Sequence, residues 1–233
     1  MPPDQRATDQ REPDRREIEL VRERLRAEQG EFVPHRALPI LDEVIATVLS
    51  QHTSGGNSSR AFAQLKERFP TWEQVLDAAP EQVVVAIRCG GMAEQKTRRI
   101  QQLLAIIEDR EHCLDLDRLN GLDDAAIDDY LTSLPGVGAK TAACVLVFAM
   151  GRAAFPVDTH VHRIATRLGW VPRGTTAERT YRILNPLIPP ASRYELHVQF
   201  IRHGRTVCTA RQPGCEACVL RDLCPYPGRT VTP

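Results

Sequence analysis

At 233 residues the chain is long enough to bury one sizeable core or two modest ones. Its 42% hydrophobic content fits a globular protein. No apolar run approaches the ~20 residues of a membrane span, and the N-terminal MPPDQRATDQREPDRRE has no stretch that would act as a secretory signal. A membrane partner is thereby excluded, and a cytoplasmic location is expected. Formal net charge is zero, yet residues 1–138 carry 17 Lys and Arg against 25 Asp and Glu, and residues 139–233 carry 13 against 5. A basic C-terminal portion attracts phosphates locally while the whole molecule stays neutral.

Residues 1–16 are charged and proline-punctuated and read as a disordered tail. A helix is expected from Arg16 to Glu28, with Ile18, Val21 and Leu25 on one face, broken by Pro34 and Pro39. A second apolar helix follows from Leu41 to Leu49. The polar SQHTSGGNSS then leads into a helix from Arg60 to Phe69, and Pro70 and Pro80 punctuate two short ones, Trp72–Ala78 and Glu81–Ile87. After the loop Cys89–Met92, Glu94–Glu108 is strongly helical. Asp123 or Asp124 caps a helix through Leu131, and the turn LPGVG precedes another from Ala139 to Met150. Further helices are expected over Asp158–Leu168, Thr176–Leu187 and Ser192–Arg202. No alternating strand pattern occurs, so the chain reads as all-α.

Three motifs carry chemistry. In Leu134-Pro135-Gly136-Val137-Gly138-Ala139-Lys140, two glycines one residue apart between helices allow a tight turn with exposed backbone N–H groups. The next helix starts there, so its free donors and dipole point the same way, a phosphate site that reads no sequence. The likeness of GVGAKT to a nucleotide-binding loop fails, because Ala139 rather than Gly precedes Lys140 and the upstream segment is helical. Lys140 is either a solvated surface lysine or an amine poised for Schiff-base chemistry, which burial would favour by lowering its pKa.

Eighteen residues on, Asp158 stands where an N-cap belongs. Capping is a sufficient explanation; the functional one has its carboxylate stabilise positive charge developing at a sugar carbon. His160 and His162 are two apart, hence on different helix faces, which argues against a metal site there. Last, Cys208, Cys215, Cys218 and Cys224 form C-x6-C-x2-C-x5-C. In a reducing compartment such clustered thiols bind metal, and by chemistry alone both zinc and a [4Fe–4S] cluster stay open.

Taken in order and at these spacings, the motifs resemble the endonuclease III family of helix-hairpin-helix DNA glycosylases, over roughly residues 17–226. The resemblance implies two helical domains. One is a six-helix domain over residues 34–152 ending with the hairpin; the other is an iron–sulfur domain of residues 17–33 and 153–233, with a DNA groove between them. It implies that Lys140 is the catalytic lysine attacking the sugar C1′, that Asp158 supports this step, and that Gly136, Val137 and Gly138 hold a phosphate. Cys208, Cys215, Cys218 and Cys224 then hold a [4Fe–4S] cluster. The family's Gln-containing loop, which fills the space left by a flipped base, corresponds to Ser50–Gly56, where Gln51 or His52 serves; a Thr–Asp pair often found beyond it is Ser54-Gly55 here. The opposite wedge corresponds to Met92, and His160 is placed beside the base or a phosphate.

The expected activity is a monomeric bifunctional DNA glycosylase/AP lyase in base excision repair, acting on double-stranded DNA with damaged bases or abasic sites. Oxidised pyrimidines of the thymine-glycol kind are the expected substrates, with strand nicking by β-elimination. The alternative is a catalytically weak paralogue that binds damaged DNA through the hairpin and the cluster domain. An adenine-glycosylase branch is set aside, because it typically lacks a lysine at this position.

Overall fold

The computed structural model describes residues 13–32 and 37–226. Among these the chain is helical, with no β-strand: α1 (Arg15–Gln29), α2 (Ile40–Ser50), α3 (Gly55–Arg68), α4 (Trp72–Asp77), α5 (Pro80–Ile87), α6 (Ala93–Glu111), α7 (Asp124–Thr132), α8 (Ala139–Phe148), α9 (Thr159–Arg167), α10 (Ala177–Leu187) and α11 (Pro190–Thr206). Most of the tail expected over residues 1–16, and the break at Pro34, lie outside the described residues. The tail's last residues are already structured: Asp14 accepts the Glu17 N–H at 2.8 Å and starts α1 at Arg15.

Helix starts follow the side chains that can cap them. Thr71 and Gln74 form a reciprocal capping box on α4, Asp123 accepts from Ala126 N–H on α7, and Thr176 accepts from Arg179 N–H on α10. The largest departure from the sequence pattern is α3, which begins at Gly55 and not at Arg60. Two glycines cost a helix about 1 kcal/mol each relative to alanine. That is offset here by burial of Ala61 and Leu65 and by the Ser58 hydroxyl, which donates to Gly55 O at 3.0 Å. α6 runs to Glu111, beyond its expected end, and stops where His112 turns left-handed at φ 57°.

The chain divides into two compact units, Arg36–Arg152 and a second made of Met1–His35 with Ala153–Pro233. In the first, α2 is the central apolar element: Leu41, Val44, Ile45, Val48 and Leu49 are buried and it packs on α3 and α8. α6 turns Ile100, Leu103, Leu104 and Ile107 inward, the i, i+3, i+4, i+7 stripe of an amphipathic helix. In the second unit, α1 contributes Ile18, Val21 and Leu25 to a core with Phe155, Val161, Ile164, Trp170, Leu184, Leu196 and Phe200. Cys208, Cys218 and Cys224 pack against that core.

Candidate nucleic-acid interface and metal centre

Within the Arg36–Arg152 unit, α7 and α8 are joined by the two-glycine turn. Val137 N–H closes it on Leu134 O at 3.1 Å, and the Val137 side chain is buried. Val137 is thus an anchor of the turn, and its N–H is not free for a ligand. Gly136 has φ +79°, a conformation that favours glycine, and a Cβ there would stand 2.9 Å from Arg99 Cδ. Gly138 is different. Its φ is −102°, open to any residue, and a Cβ would meet nothing within 4 Å. Nothing among the described residues therefore demands a glycine at 138; what its absent side chain leaves is bare backbone at the start of α8. The first N–H groups of that helix, from Gly138 to Lys140, have no intrahelical acceptor and carry the positive end of its dipole.

Lys140 is the second residue of α8 and is half-buried. A carboxyl group that the sequence did not bring forward belongs to the same neighbourhood. Burial raises the pKa of Glu43 on α2, against the opposing effects of the Thr47 hydroxyl, bonded at 3.1 Å, and of the Lys140 charge. α2 packs directly on α8, which brings an acid and an amine into electrostatic range.

The residues expected to enter a duplex separate into two groups. Gln51 is committed: its Nε2 donates to Gly136 O at 3.0 Å, and its Oε1 accepts from Arg99 Nη1 at 3.1 Å. It braces the hairpin. His52, beside it, is exposed and left-handed at φ 53°. Met92 is likewise left-handed at φ 50° and is 50% exposed, a large apolar side chain in solvent at a strained backbone position. Both are non-glycine residues in a conformation that costs about 1 kcal/mol or more.

In the other unit Asp158 caps α9. Its Oδ1 accepts from His160 N–H at 2.9 Å and Val161 N–H at 2.8 Å, so the cap uses one carboxylate oxygen. His160 and His162 point to different helices. His162 Nδ1 meets Thr180 Oγ1 on α10 at 2.9 Å. His160 Nδ1 lies 3.0 Å from Arg163 Nη2, and because arginine only donates, that nitrogen accepts and the imidazole proton resides on Nε2. The ring lies against Gly204 on α11, where a Cβ would be 2.7 Å from His160 Nδ1.

The cysteine segment lines a cavity of about 160 Å³ with Cys208, Cys215, Cys218 and Cys224, beside Arg167 and His203. Burial pushes the Cys224 thiol up to about 11 and raises that of Cys218, so neither ionises readily without a cation to compensate. Donors are arranged for sulfur anions: Arg167 Nη1 is 3.1 Å from Cys208 Sγ and Leu220 N–H is 3.4 Å from Cys218 Sγ. Four half-buried sulfurs around one cavity supply the all-thiolate donor set that an iron–sulfur cluster takes.

Both the hairpin-bearing region and the cysteine segment are similar to known proteins. The model of the HhH-GPD superfamily base excision DNA repair protein family matches residues 45–190, and that of the iron-sulfur binding domain of endonuclease III matches residues 208–224. A protein of Arabidopsis thaliana named as a DNA glycosylase is 41% identical over 170 residues, 73% of this chain, which spans 58% of that protein's length. Endonuclease III of Thermotoga maritima is 35% identical over 183 residues, 78% of this chain and 81% of the relative. Among solved structures, that of a trapped endonuclease III–DNA covalent intermediate superposes with a TM-score of 0.77 at 29% identity, over 91% of this chain and 95% of that one. No helix among the described residues is long and apolar enough to cross a membrane. With a hairpin headed by bare backbone, a lysine in its first turn and four thiols around one cavity, the chain belongs to the endonuclease III family of base-excision DNA glycosylase/AP lyases and carries that family's [4Fe–4S] cluster.

Proposed function

We propose that the protein excises oxidised pyrimidines of the thymine-glycol kind from double-stranded DNA and then nicks the strand through a Schiff base on Lys140. The observation that carries the reading is local. Lys140 stands in the first turn of α8, next to the bare Gly138 backbone and the helix's free N–H groups, so a phosphate held there brings its sugar to the amine. The Lys140 amine forms the bond to C1′ as the bond to the damaged base breaks, and the base leaves with a proton. The nitrogen lone pair then opens the sugar ring by breaking the C1′–O4′ bond, O4′ takes up a proton, and the protonated Schiff base so formed acidifies the C2′ hydrogen. Its removal breaks the C3′–oxygen bond and leaves a nick on the 3′ side.

The remaining assignments follow the same reading. Gly136 and Gly138 shape the phosphate site, and Asp158 supports the positive charge that develops at the sugar. His52, rather than the committed Gln51, fills the space left by the extruded base, with Met92 as the wedge and His160 beside the DNA. Cys208, Cys215, Cys218 and Cys224 hold the [4Fe–4S] cluster, which supplies a fixed positive-core staple for the C-terminal segment. The domains are residues 34–152, and residues 17–33 with 153–233. The protein works as a monomer with the DNA of the cell.

The test is borohydride trapping on duplexes carrying thymine glycol or an abasic site, with wild type and Lys140→Ala. A covalent adduct on both duplexes, reduced at least ~10³-fold in the variant, is the expected result. Absence of an adduct from iron-loaded protein that still binds the DNA would overturn the reading in favour of a binding protein.

A further inference from the structure

Lys96, near the start of α6, has no part in the chemistry above, yet it is 2% exposed. Its ammonium group donates to Leu49 O at 2.7 Å, Thr53 Oγ1 at 2.6 Å and Gly90 O at 2.9 Å. These acceptors come from the last turn of α2, the loop between α2 and α3, and the turn Arg88–Gly90. Three acceptors match the three protons of an ammonium group, and all of them are neutral oxygens. The Thr53 hydroxyl extends the link by donating to Gly90 O or to Gln51 O. One turn further along α6, Arg99 reaches Gln51 and through it Gly136.

Burying a lysine among neutral groups is unfavourable, and desolvation lowers the Lys96 pKa. An apolar side chain of the same length would fill the space without that cost but would deprive the Leu49 and Gly90 carbonyls of this donor. What only the ammonium can do is hold two separate loops at one point. Those loops end in His52 and Met92, the two exposed residues with left-handed backbone in this region. Strained tips keep their conformation only when the surrounding structure over-determines it.

We infer that Lys96 is a positioning residue that locks the His52 loop and the Met92 loop into one rigid pair, and thereby governs extrusion of the base rather than cleavage of bonds. The inference rests on the reading of His52 and Met92 as the residues that enter the duplex. Extrusion is most demanding when a stacked base must leave the helix and least demanding at an abasic site, so the two substrates separate the two roles.

The experiment uses full-length, cluster-loaded protein and two variants. Lys96→Met keeps the volume and loses the donors; Thr53→Val leaves the lysine and removes one link, which keeps the test open should Lys96→Met fail to fold. Amide hydrogen exchange at residues 51–54 and 90–92 reports the loops without reference to DNA. 2-Aminopurine fluorescence beside thymine glycol reports extrusion, and single-turnover rates on thymine-glycol and abasic duplexes report the outcome. Expected in Lys96→Met are faster exchange in both loops together, a weaker fluorescence change, and base excision down at least ~30-fold against less than ~5-fold for abasic-site cleavage; Thr53→Val shows the same pattern at about a third of the size. Faster exchange in one loop only, or equal losses on both substrates, overturns the inference. A wild type that forms the Lys140 adduct with no fluorescence change also overturns it, by removing the duplex-entry premise. A wild type with no adduct at all overturns the proposed function instead, and the exchange data still decide whether the two loops are locked together.

Discussion

The two units of the chain fix their non-helical segments by different means. In Arg36–Arg152 side chains of α6 reach the backbone oxygens of several loops: Lys96 to Leu49 and Gly90, and Arg99 through Gln51 to Gly136. In the other unit arginines also reach loop carbonyls, as Arg167 does at Thr209 O and Ala210 O, but ion pairs join distant stretches of sequence as well. Arg22 and Arg26 both bond Glu195, Arg24 pairs with Asp222, Trp170 Nε1 donates to Glu17 at 2.9 Å, and four sulfurs surround one cavity. The difference teaches where each unit is vulnerable. The first loses geometry locally, at the loops a given link joins, as with the two loops that meet at Lys96. The second loses a whole segment at once, because residues 208–224 have Leu220 as their one fully buried hydrophobic and depend on the shared centre.

The largest test of that contrast is removal of the cluster. Binding energy at a metal centre is folding energy for the segment that holds it. Stripping the iron by oxidation and chelation should raise amide exchange over residues 208–224 by at least ~100-fold and lower the melting temperature of the unit containing α1, α9 and α11. The core of Ile18, Trp170 and Phe200 should remain folded, and exchange over residues 37–152 should not change. Equal loss of protection in both units would show that the division into separately held units is wrong.

A second test lies within the hairpin and divides its glycines. Gly136→Ala must place a Cβ at φ +79° and displace Arg99, so a loss of about 1–2 kcal/mol is expected, with disturbance of the Gln51 link. Gly138→Ala should leave stability within ~0.5 kcal/mol, because nothing stands within 4 Å of the new methyl group. Its effect should appear as DNA affinity lower by about tenfold, since the methyl group occupies the space a phosphate would approach. Thermal melts and fluorescence-anisotropy titrations of both variants check this pair of outcomes. If Gly138→Ala bound DNA as wild type does, the bare backbone would have no function.

These contrasts also explain which features were legible in the sequence. Helix faces were legible because periodicity is a local property: Ile18, Val21 and Leu25 are all fully buried. The chemistry-bearing motifs were legible because their spacings are short. The Gly55 start of α3 was not, since tertiary burial overrides the poor propensity of two glycines. Nor was the commitment of the Gln51 side chain, which depends on Gly136 and Arg99, far off in the chain. Glu43 looks in sequence like any first-turn acid on an apolar helix. Lys96 does leave a signal: it stands on the same stripe as Ile100, Leu103 and Ile107, where a charged residue has to be explained.

The finest test concerns Asp158, for which a cap and a catalytic carboxylate are both sufficient explanations of the residue. Asparagine caps a helix about as well as aspartate, so Asp158→Asn keeps an oxygen for His160 N–H and Val161 N–H and should cost less than ~1 kcal/mol, chiefly the lost charge at the head of α9. Borohydride trapping should nonetheless fall at least ~30-fold, because an amide cannot stabilise positive charge at the sugar. Asp158→Ala loses both functions and should add about 1 kcal/mol of destabilisation to the same loss of trapping. Since the cap uses Oδ1, the second oxygen is the one on which the functional reading depends. Were Asp158→Asn to trap DNA at the wild-type rate, the aspartate would be a cap alone, and Glu43, already in electrostatic range of Lys140, would be the carboxyl group to examine next.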